Sequence, residues 1–258
     1  MKTVILAGGK GTRLSEGFDS IPKPMVRVGG LPILCHILNI YSSYGFNDFI
    51  LALGYKSEYI KQYFLNFLYL NNDFRLDFGK NKTQILSNKK FNWNIEFIDT
   101  GIETQTGGRL LNIREYLHDE TFMLTYGDGL ANINLNNLIK FHKNHTKMVT
   151  ITAVRPSARF GELNLDSKNA VTSFKEKPQI KDGWVNGGFF VLNKDFLNYI
   201  DDESTILEKE PLERMVAQKD IAAYQHEGFW QCMDTIRDKD YLNQMWDTKK
   251  AFWVQNND

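Results

Sequence analysis

Val4-Ile5-Leu6-Ala7-Gly8-Gly9-Lys10-Gly11-Thr12-Arg13-Leu14 joins a short apolar strand to a glycine-rich loop that two cations flank. Because glycine has no Cβ, the backbone N–H groups of such a loop approach an anion closely and form a concave anion site. A loop that follows a strand lies at the carboxyl edge of a sheet, where open α/β folds bind ligands. The stretch predicts a phosphate site there, although a tight strand-to-helix turn alone also uses glycine.

Two well-known glycine loops do not match this stretch. The dinucleotide fingerprint, aligned on Gly9 and Gly11, requires a third glycine where the chain has Leu14. No acidic residue ends the next predicted strand, 49–53, to bind a ribose. A Walker A loop requires Gly-Lys-Ser/Thr, whereas Lys10 is followed by glycine. The loop therefore belongs to neither of these two types.

Composition limits the possible functions. The chain has 258 residues, of which 42% are hydrophobic and 24% charged, enough for one domain with a large core. Its formal net charge of zero argues against an extended nucleic-acid surface. Cys35 and Cys232 are far apart, so we expect reduced packing residues and neither a disulfide framework nor a zinc cluster. The sequence offers no secretory signal or membrane-spanning stretch, and we expect a soluble, cytoplasmic protein.

The first half of the chain alternates strands with helices. Helices are predicted over 33–41 and 57–64 around the strand 49–53, and this βαβα order predicts a mostly parallel sheet covered on both faces. Pro22-Lys23-Pro24-Met25 fixes an extended segment, which holds the Lys23 cation on a stiff backbone near the phosphate loop. Prolines that merely set a turn are the alternative.

Residues 65–93 break this alternation. Aromatic and aliphatic side chains mix there with asparagines and lysines, a composition typical of an inserted, partly mobile arm. An exposed apolar cluster on this arm would form a subunit contact. Packing of the arm onto the parent domain is the alternative.

Two more strand ends carry candidate ligand groups. The predicted strand 94–98 leads to a second glycine loop, Thr106-Gly107-Gly108-Arg109, which opens a helix to about residue 117 and whose amides we expect to face a ligand. The hydrophobic strand 121–126 ends in Gly127-Asp128-Gly129. A carboxylate at the carboxyl end of a central strand suits Mg²⁺, although an aspartate that caps the next helix is the alternative.

The second half contains a predicted antiparallel excursion, formed by 160–165 and 170–174, between core strands 148–154 and 186–192. Polar residues beside glycines in this half suit the hydroxyls of a sugar, although solvated turns are the alternative. Those residues are Glu162, Glu176, Lys177 and Asn186.

Asp234 ends another apolar, strand-like stretch, 229–235. If Asp234 meets Asp128 in space, the pair offers Mg²⁺ two carboxylates and leaves water and phosphate oxygens to complete the coordination.

With these residues in view, the chain resembles the sugar-1-phosphate nucleotidyltransferase family. The resemblance rests first on 6–14 together with 22–25, and it then narrows to the members that join CTP to glucose 1-phosphate. It covers nearly the whole chain in order. The narrowing motifs are Asp99-Thr100-Gly101, Thr106-Gly107-Gly108-Arg109-Leu110, Tyr126-Gly127-Asp128-Gly129, Arg159-Phe160-Gly161, Phe174-Lys175-Glu176-Lys177-Pro178, Asn186-Gly187-Gly188-Phe189-Phe190 and Phe229-Trp230-Gln231-Cys232-Met233-Asp234-Thr235.

The resemblance implies a Rossmann-like fold and a single nucleotidyltransferase domain over 1–258. Residues 1–145 would bind the nucleotide and 146–258 the sugar phosphate. It also implies Mg²⁺ as cofactor, CTP and glucose 1-phosphate as substrates, CDP-glucose for deoxysugar or surface polysaccharide synthesis, and a homo-oligomer, a trimer or hexamer. It implies no nucleic-acid or membrane partner.

The resemblance also assigns site residues. Arg13, Lys23 and Asp128 would be catalytic, and Asp128 and Asp234 would bind the metal. The nucleotide would contact Leu6, Ala7, Gly8, Gly9, Gly11, Thr12, Arg13, Lys23, Thr106, Gly107, Gly108 and Arg109. The sugar phosphate would contact Tyr126, Gly161, Glu176, Lys177, Asn186 and Gly187.

Two alternatives stay open at this point. One is an enzyme of the same type that uses UTP, dTTP or another sugar 1-phosphate, because backbone amides do not reveal which pyrimidine edge they meet. The other is a non-catalytic module that binds nucleotide sugars. Such a module should lack a metal carboxylate or a phosphate cation, whereas this chain keeps Asp128, Asp234, Arg13, Lys23 and Lys177.

Overall fold

The computed structural model describes residues 1–9, 21–87, 91–156, 162–165, 167, 170–175 and 183–254. The strands of these residues are, in chain order, β1 (Thr3–Leu6), β2 (Arg27–Val28), β3 (Leu31–Pro32), β4 (Asp48–Leu53), β5 (Phe74–Asp77), β6 (Lys82–Ile85), β7 (Asn94–Asp99), β8 (Thr121–Tyr126), β9 (Gly129–Ala131), β10 (Val149–Val154), β11 (Glu162–Leu165), β12 (Val171–Lys175), β13 (Val185–Asn193), β14 (Ile221–His226) and β15 (Trp230–Cys232).

The α-helices of the described chain lie between these strands. They are α1 (Ile33–Ser42), α2 (Ser57–Leu65), α3 (Phe67–Asn71), α4 (Thr106–Asn112), α5 (Leu135–Asn144), α6 (Glu210–Ala217) and α7 (Ile236–Asp247). Among the described residues, no helix is both long and apolar enough to cross a membrane.

Seven of the described strands form a central mixed sheet in the order β14-β10-β13-β8-β1-β4-β7. β1 pairs in parallel with β4 and β8, and β4–β7 and β10–β14 are also parallel. β13 alone runs antiparallel to both of its neighbours in this sheet. The predicted Rossmann-like, mostly parallel mixed sheet is confirmed.

Helices cover the sheet on both faces, and neighbouring residues of one strand point to opposite faces. On one side Ile5 packs in the same core cluster as the apolar residues of α1. On the other side Val4 and Leu6 join the cluster that includes Leu110 of α4 and Leu212 of α6. Both cysteines are free, as predicted, and Cys35 is buried.

The arm, residues 65–93, has one part that packs onto the parent domain and another that is exposed. Phe67 of α3 is 5% exposed and belongs to the same core cluster as the apolar residues of α1, and Phe91 and Trp93 pack against this cluster. The β5–β6 hairpin projects from this anchor, and Leu65 and Phe78 are 81% and 89% exposed. The arm therefore packs its base onto the parent domain and presents apolar side chains outward.

Two other predictions have clear outcomes. The antiparallel excursion is confirmed, because β11 pairs with β12 from Glu162 opposite Lys175. The helix expected over 106–117 is shorter, because α4 ends at Asn112 and a 3₁₀ turn, Arg114–Tyr116, follows. The tighter turn buries Ile113 and Leu117 in the core beneath the sheet.

Candidate active site

The site lies where β1 and β8 end side by side. Leu6 stands opposite Tyr126 in the parallel register, and the Gly127 N–H donates to the Leu6 carbonyl at 3.0 Å. The Ala7 N–H donates to Ala52 O of β4 at 3.0 Å, which fixes the start of the first glycine loop. The loop residues Gly11, Thr12 and Arg13 lie outside the described residues.

Asp128 and Asp234 meet in space, which is the condition for a metal pair. The antiparallel pair β9–β15 places Cys232 opposite Gly129, and the Met233 N–H donates to Asp128 O at 2.9 Å. Asp234 is held in turn by the capping box at the start of α7, because its N–H donates to Asp238 Oδ2 at 3.0 Å.

The Lys23 ammonium lies between these two carboxylates. It donates to Asp128 Oδ2 and, at 2.5 Å, to Asp234 Oδ1. Burial alone would lower the pKa of Lys23, but the two carboxylates outweigh burial and the net pKa is raised. Lys23 is therefore charged at neutral pH, and its short 3₁₀ turn after Pro22 holds it in place.

The carboxylate pair fits a hard divalent cation. Two aspartate oxygens already converge on one positive charge, and both side chains remain partly exposed to solvent. Within the part of the chain that the structure describes, no group of three or more His, Cys, Asp or Glu surrounds a metal position. Oxygens of water and of a bound phosphate would complete the coordination.

Arg109, expected at the nucleotide, has a different environment. Its side chain is 4% exposed, and its guanidinium donates to Gly8 O at 3.0 Å, Leu53 O at 3.0 Å and Thr100 Oγ1 at 2.7 Å. A Cβ on Gly8 would lie 2.3 Å from Arg109 Nη1, so a glycine at this position leaves room for the guanidinium. Arg109 therefore forms hydrogen bonds to the residues at the ends of β1, β4 and β7.

The second glycine loop also departs from expectation. The N–H groups of Gly107 and Gly108 donate to Thr205 O, at 2.9 and 3.2 Å, so the expectation that they face a ligand is not met. A Cβ on Gly108 would lie 2.4 Å from Glu203 O. These glycines are needed because α4 packs directly against the backbone of 203–205.

Glu208 is a polar residue of this site that no sequence motif indicated. Tyr126 donates its O–H to Glu208 Oε1 at 2.5 Å, and Thr106 donates its O–H to Glu208 Oε2 at 2.7 Å. Burial is the largest cause that raises the pKa of Tyr126, and the nearby Glu208 carboxylate raises it further. The sequence around Glu208 resembles only an acidic helix start before Pro211, which gave no signal of these tertiary partners.

Residues expected at the sugar phosphate are partly brought together. Asn186 Nδ2 donates to the Tyr126 hydroxyl oxygen at 3.1 Å, and Trp230 Nε1 donates to Gly187 O at 2.8 Å. Tyr126, Asn186 and Gly187 therefore share one corner of the site with Glu208. Gly161, Glu176 and Lys177 lie outside the described residues.

Comparison with known proteins also indicates a nucleotidyl transferase. A family model described as nucleotidyl transferase matches residues 2–250. Glucose-1-phosphate cytidylyltransferases of Salmonella typhi and Salmonella typhimurium are each 46% identical over 254 residues, which are 98% of this chain and 98% of each relative. The structure of HddC from Yersinia pseudotuberculosis complexed with GMP-PN has a TM-score of 0.69 at 23% identity, covering 95% of this chain and 99% of that one.

Proposed function

The chain belongs to the nucleotidyl transferase family, and from this premise we infer that it is a glucose-1-phosphate cytidylyltransferase. It transfers CMP from CTP to the phosphate of glucose 1-phosphate, which gives CDP-glucose and pyrophosphate. The observation that carries the reaction type is the convergence of Asp128 and Asp234 on Lys23, next to the end of β1.

The chemistry requires charge neutralisation more than proton transfer. The sugar phosphate is already an anionic nucleophile at neutral pH, so no general base is needed. One of its oxygens forms the new bond to the α-phosphorus of CTP, while the bond from that phosphorus to the bridging oxygen breaks and pyrophosphate leaves. The barrier is the repulsion between two polyanions, which positioned cations lower.

The proposed roles follow from this requirement. The backbone of Leu6–Gly9 holds the triphosphate with Gly11, Thr12 and Arg13, and Lys23 neutralises it. Asp128 and Asp234 would hold Mg²⁺, which when bound supplies positive charge to the reacting phosphates. The remaining residues contact the sugar phosphate: Tyr126, Gly161, Glu176, Lys177, Asn186 and Gly187.

The nucleotide half, 1–145, and the sugar-phosphate half, 146–258, are proposed to meet at Tyr126. The hydrogen bonds of Tyr126 to Asn186 and Glu208 support this division, because they join the two halves. A homo-oligomer, a trimer or hexamer, is proposed through the arm, and its exposed Leu65 and Phe78 support the contact. Light scattering of a Phe78→Lys variant, with a smaller mass than wild type expected, tests the oligomer.

The activity is tested by a matrix of four nucleoside triphosphates against several sugar 1-phosphates, read as pyrophosphate release with Mg²⁺. CTP with glucose 1-phosphate should give the fastest release. A preference for UTP or dTTP would contradict the nucleotide assignment. Tight binding of CDP-glucose without any release of pyrophosphate would instead favour a non-catalytic module.

A further inference from the structure

β13 is irregular where it reaches the proposed sugar-phosphate site. Its antiparallel register with β10 shifts at Thr152, so residues 187–189 of β13 stand opposite this one residue. On the other side, the ladder with β8 begins at Phe189. Extra residues in one strand of an antiparallel pair form a β-bulge, which bends the strand and is common next to active sites. The bulge, residues 186–188, contains two proposed contacts of the sugar phosphate.

Two successive glycines permit the shape of the bulge but do not fix it. Gly188 has a φ of +78°, in the left-handed region that favours glycine. A Cβ at this position would lie 2.5 Å from Cδ2 of the Tyr126 ring, so a larger residue would displace this ring. Because glycine populates many backbone conformations, contacts from neighbouring groups must select this one.

Two hydrogen bonds select the conformation of the bulge. Asn186 Oδ1 accepts from the Gly188 N–H at 2.8 Å, within the bulge itself. The Gly187 carbonyl accepts from Trp230 Nε1 at 2.8 Å, and the Trp230 ring packs against the core cluster that contains the apolar residues of α1. An indole side chain has a single N–H donor, so the donor of Trp230 is committed to the bulge. Trp230 thereby ties the bulge to the packed core of the protein.

We propose that Trp230 is a positioning residue for the sugar phosphate, because its indole N–H holds the Gly187 carbonyl and thereby sets the direction of the Asn186 side chain. The inference rests on the proposed function, in which Asn186 and Gly187 contact glucose 1-phosphate. Asn186 Nδ2 donates to the Tyr126 hydroxyl oxygen at 3.1 Å, so the bulge also determines how these two polar groups meet. A contact that is already in place saves the entropic cost of ordering it on binding. Trp230 therefore lowers the KM for glucose 1-phosphate.

β15 joins the bulge to the carboxylate pair. This strand begins at Trp230 and pairs with β9, which directly follows Asp128. Asp234 follows the end of β15, so Trp230 and Asp234 lie on one short segment. The Trp230→Phe change removes the indole N–H and keeps the backbone pairing of β15. We therefore expect this change to affect the sugar phosphate and to leave the carboxylate pair in place.

Steady-state kinetics of Trp230→Phe give the first test. The KM for glucose 1-phosphate should rise about fivefold, as expected for the loss of one neutral hydrogen bond, while the KM for CTP changes less than about twofold. Trp253→Phe is the matched control, because it removes an indole N–H that donates to His36 Nδ1 at 3.2 Å. It should keep the wild-type KM for glucose 1-phosphate. An unchanged KM for glucose 1-phosphate in Trp230→Phe, or an equal rise in both variants, would overturn the proposal.

A second measurement needs no substrate and so separates this inference from the proposed function. Hydrogen exchange of the Gly188 N–H, followed by NMR of the ¹⁵N-labelled full chain, reports how firmly the bulge is held, because this N–H donates within it. Exchange should be about fivefold faster in Trp230→Phe than in wild type and unchanged in Trp253→Phe. Equal exchange in Trp230→Phe and wild type would overturn the role of Trp230 alone. The absence of pyrophosphate release by wild type would instead contradict the proposed function.

Discussion

Asp128 and Asp234 accept hydrogen bonds from the same group, the ammonium of Lys23, although they follow strands in opposite halves of the chain. The three charges form a part-buried cluster with one net negative charge. Lys23 offsets the mutual repulsion of the two carboxylates. A divalent cation at the same point would replace this internal compensation.

Asp128→Asn should reduce pyrophosphate release about 10²- to 10³-fold, because the neutral isostere removes one anionic ligand from the position where charge is balanced. Asp234→Asn should act in the same direction. The measurement is the initial rate over a Mg²⁺ titration, together with thermal unfolding. Asp240→Asn, an exposed aspartate on α7, is the control and should keep wild-type activity. Wild-type rates in both site variants would contradict the metal assignment.

Arg109→Lys should destabilise the fold by about 2 kcal/mol or more, because one ammonium cannot replace a planar fork that serves several buried acceptors. The Arg109 guanidinium donates to the carbonyls of Gly8, Leu53 and Gly101. Urea unfolding measures the loss. Arg114→Lys, an exposed arginine in the next turn, is the matched control. A raised KM for CTP with unchanged stability would instead return Arg109 to the nucleotide.

The position of the strand ends at the site was predictable because the carboxyl ends of parallel strands lie at the same edge of a sheet. Leu6 and Tyr126 end neighbouring parallel strands, so the loops that follow must share one edge of the sheet. The meeting of Asp234 with Asp128 could be stated only as a condition. It depends on the short pairing of β15 with β9, which lies outside the central sheet and has no sequence signature.

The second glycine loop shows why the rest could not be predicted. An arginine after two glycines at a helix start is typical of an anion site, and local sequence does not reveal what else fills that space. The Thr205 carbonyl accepts from the Gly107 and Gly108 N–H groups, and the Glu203 backbone packs against Gly108. Carbonyls from distant segments surround Arg109. These are tertiary contacts at long sequence separation, invisible to periodicity or composition.

Stability should fall as the pH drops below about 6.5. Burial lowers the pKa of four of the five histidines, so in the unfolded chain they bind protons at a higher pH than in the native state: His36, His142, His145 and His226. Their contribution is complete above the unfolded pKa of about 6.5 and is lost as the pH falls toward the lower native values. Urea unfolding at about pH 7.5 and about pH 5.5 measures it.

The histidine contribution is separated by two variants. Glutamine at position 36 keeps a donor for Val28 O and an acceptor for Trp253 Nε1 without titrating, so His36→Gln should have a smaller pH slope than wild type. His118→Gln, at an exposed position, should retain the wild-type slope. Equal slopes in all three proteins would show that His36 does not contribute to the loss.

Glu208→Gln should raise the KM for glucose 1-phosphate about fivefold, with a smaller effect on CTP. A carboxylate accepts from both the Tyr126 and the Thr106 hydroxyls with separate oxygens, whereas a carboxamide has one acceptor oxygen and leaves one O–H donor without its acceptor. Steady-state kinetics of Glu208→Gln, Tyr126→Phe and the double variant measure the coupling, with exposed Glu210→Gln as control. If Glu208 acts by orienting Tyr126, it has no further effect once that hydroxyl is absent. Additive losses would show that Glu208 acts independently of Tyr126.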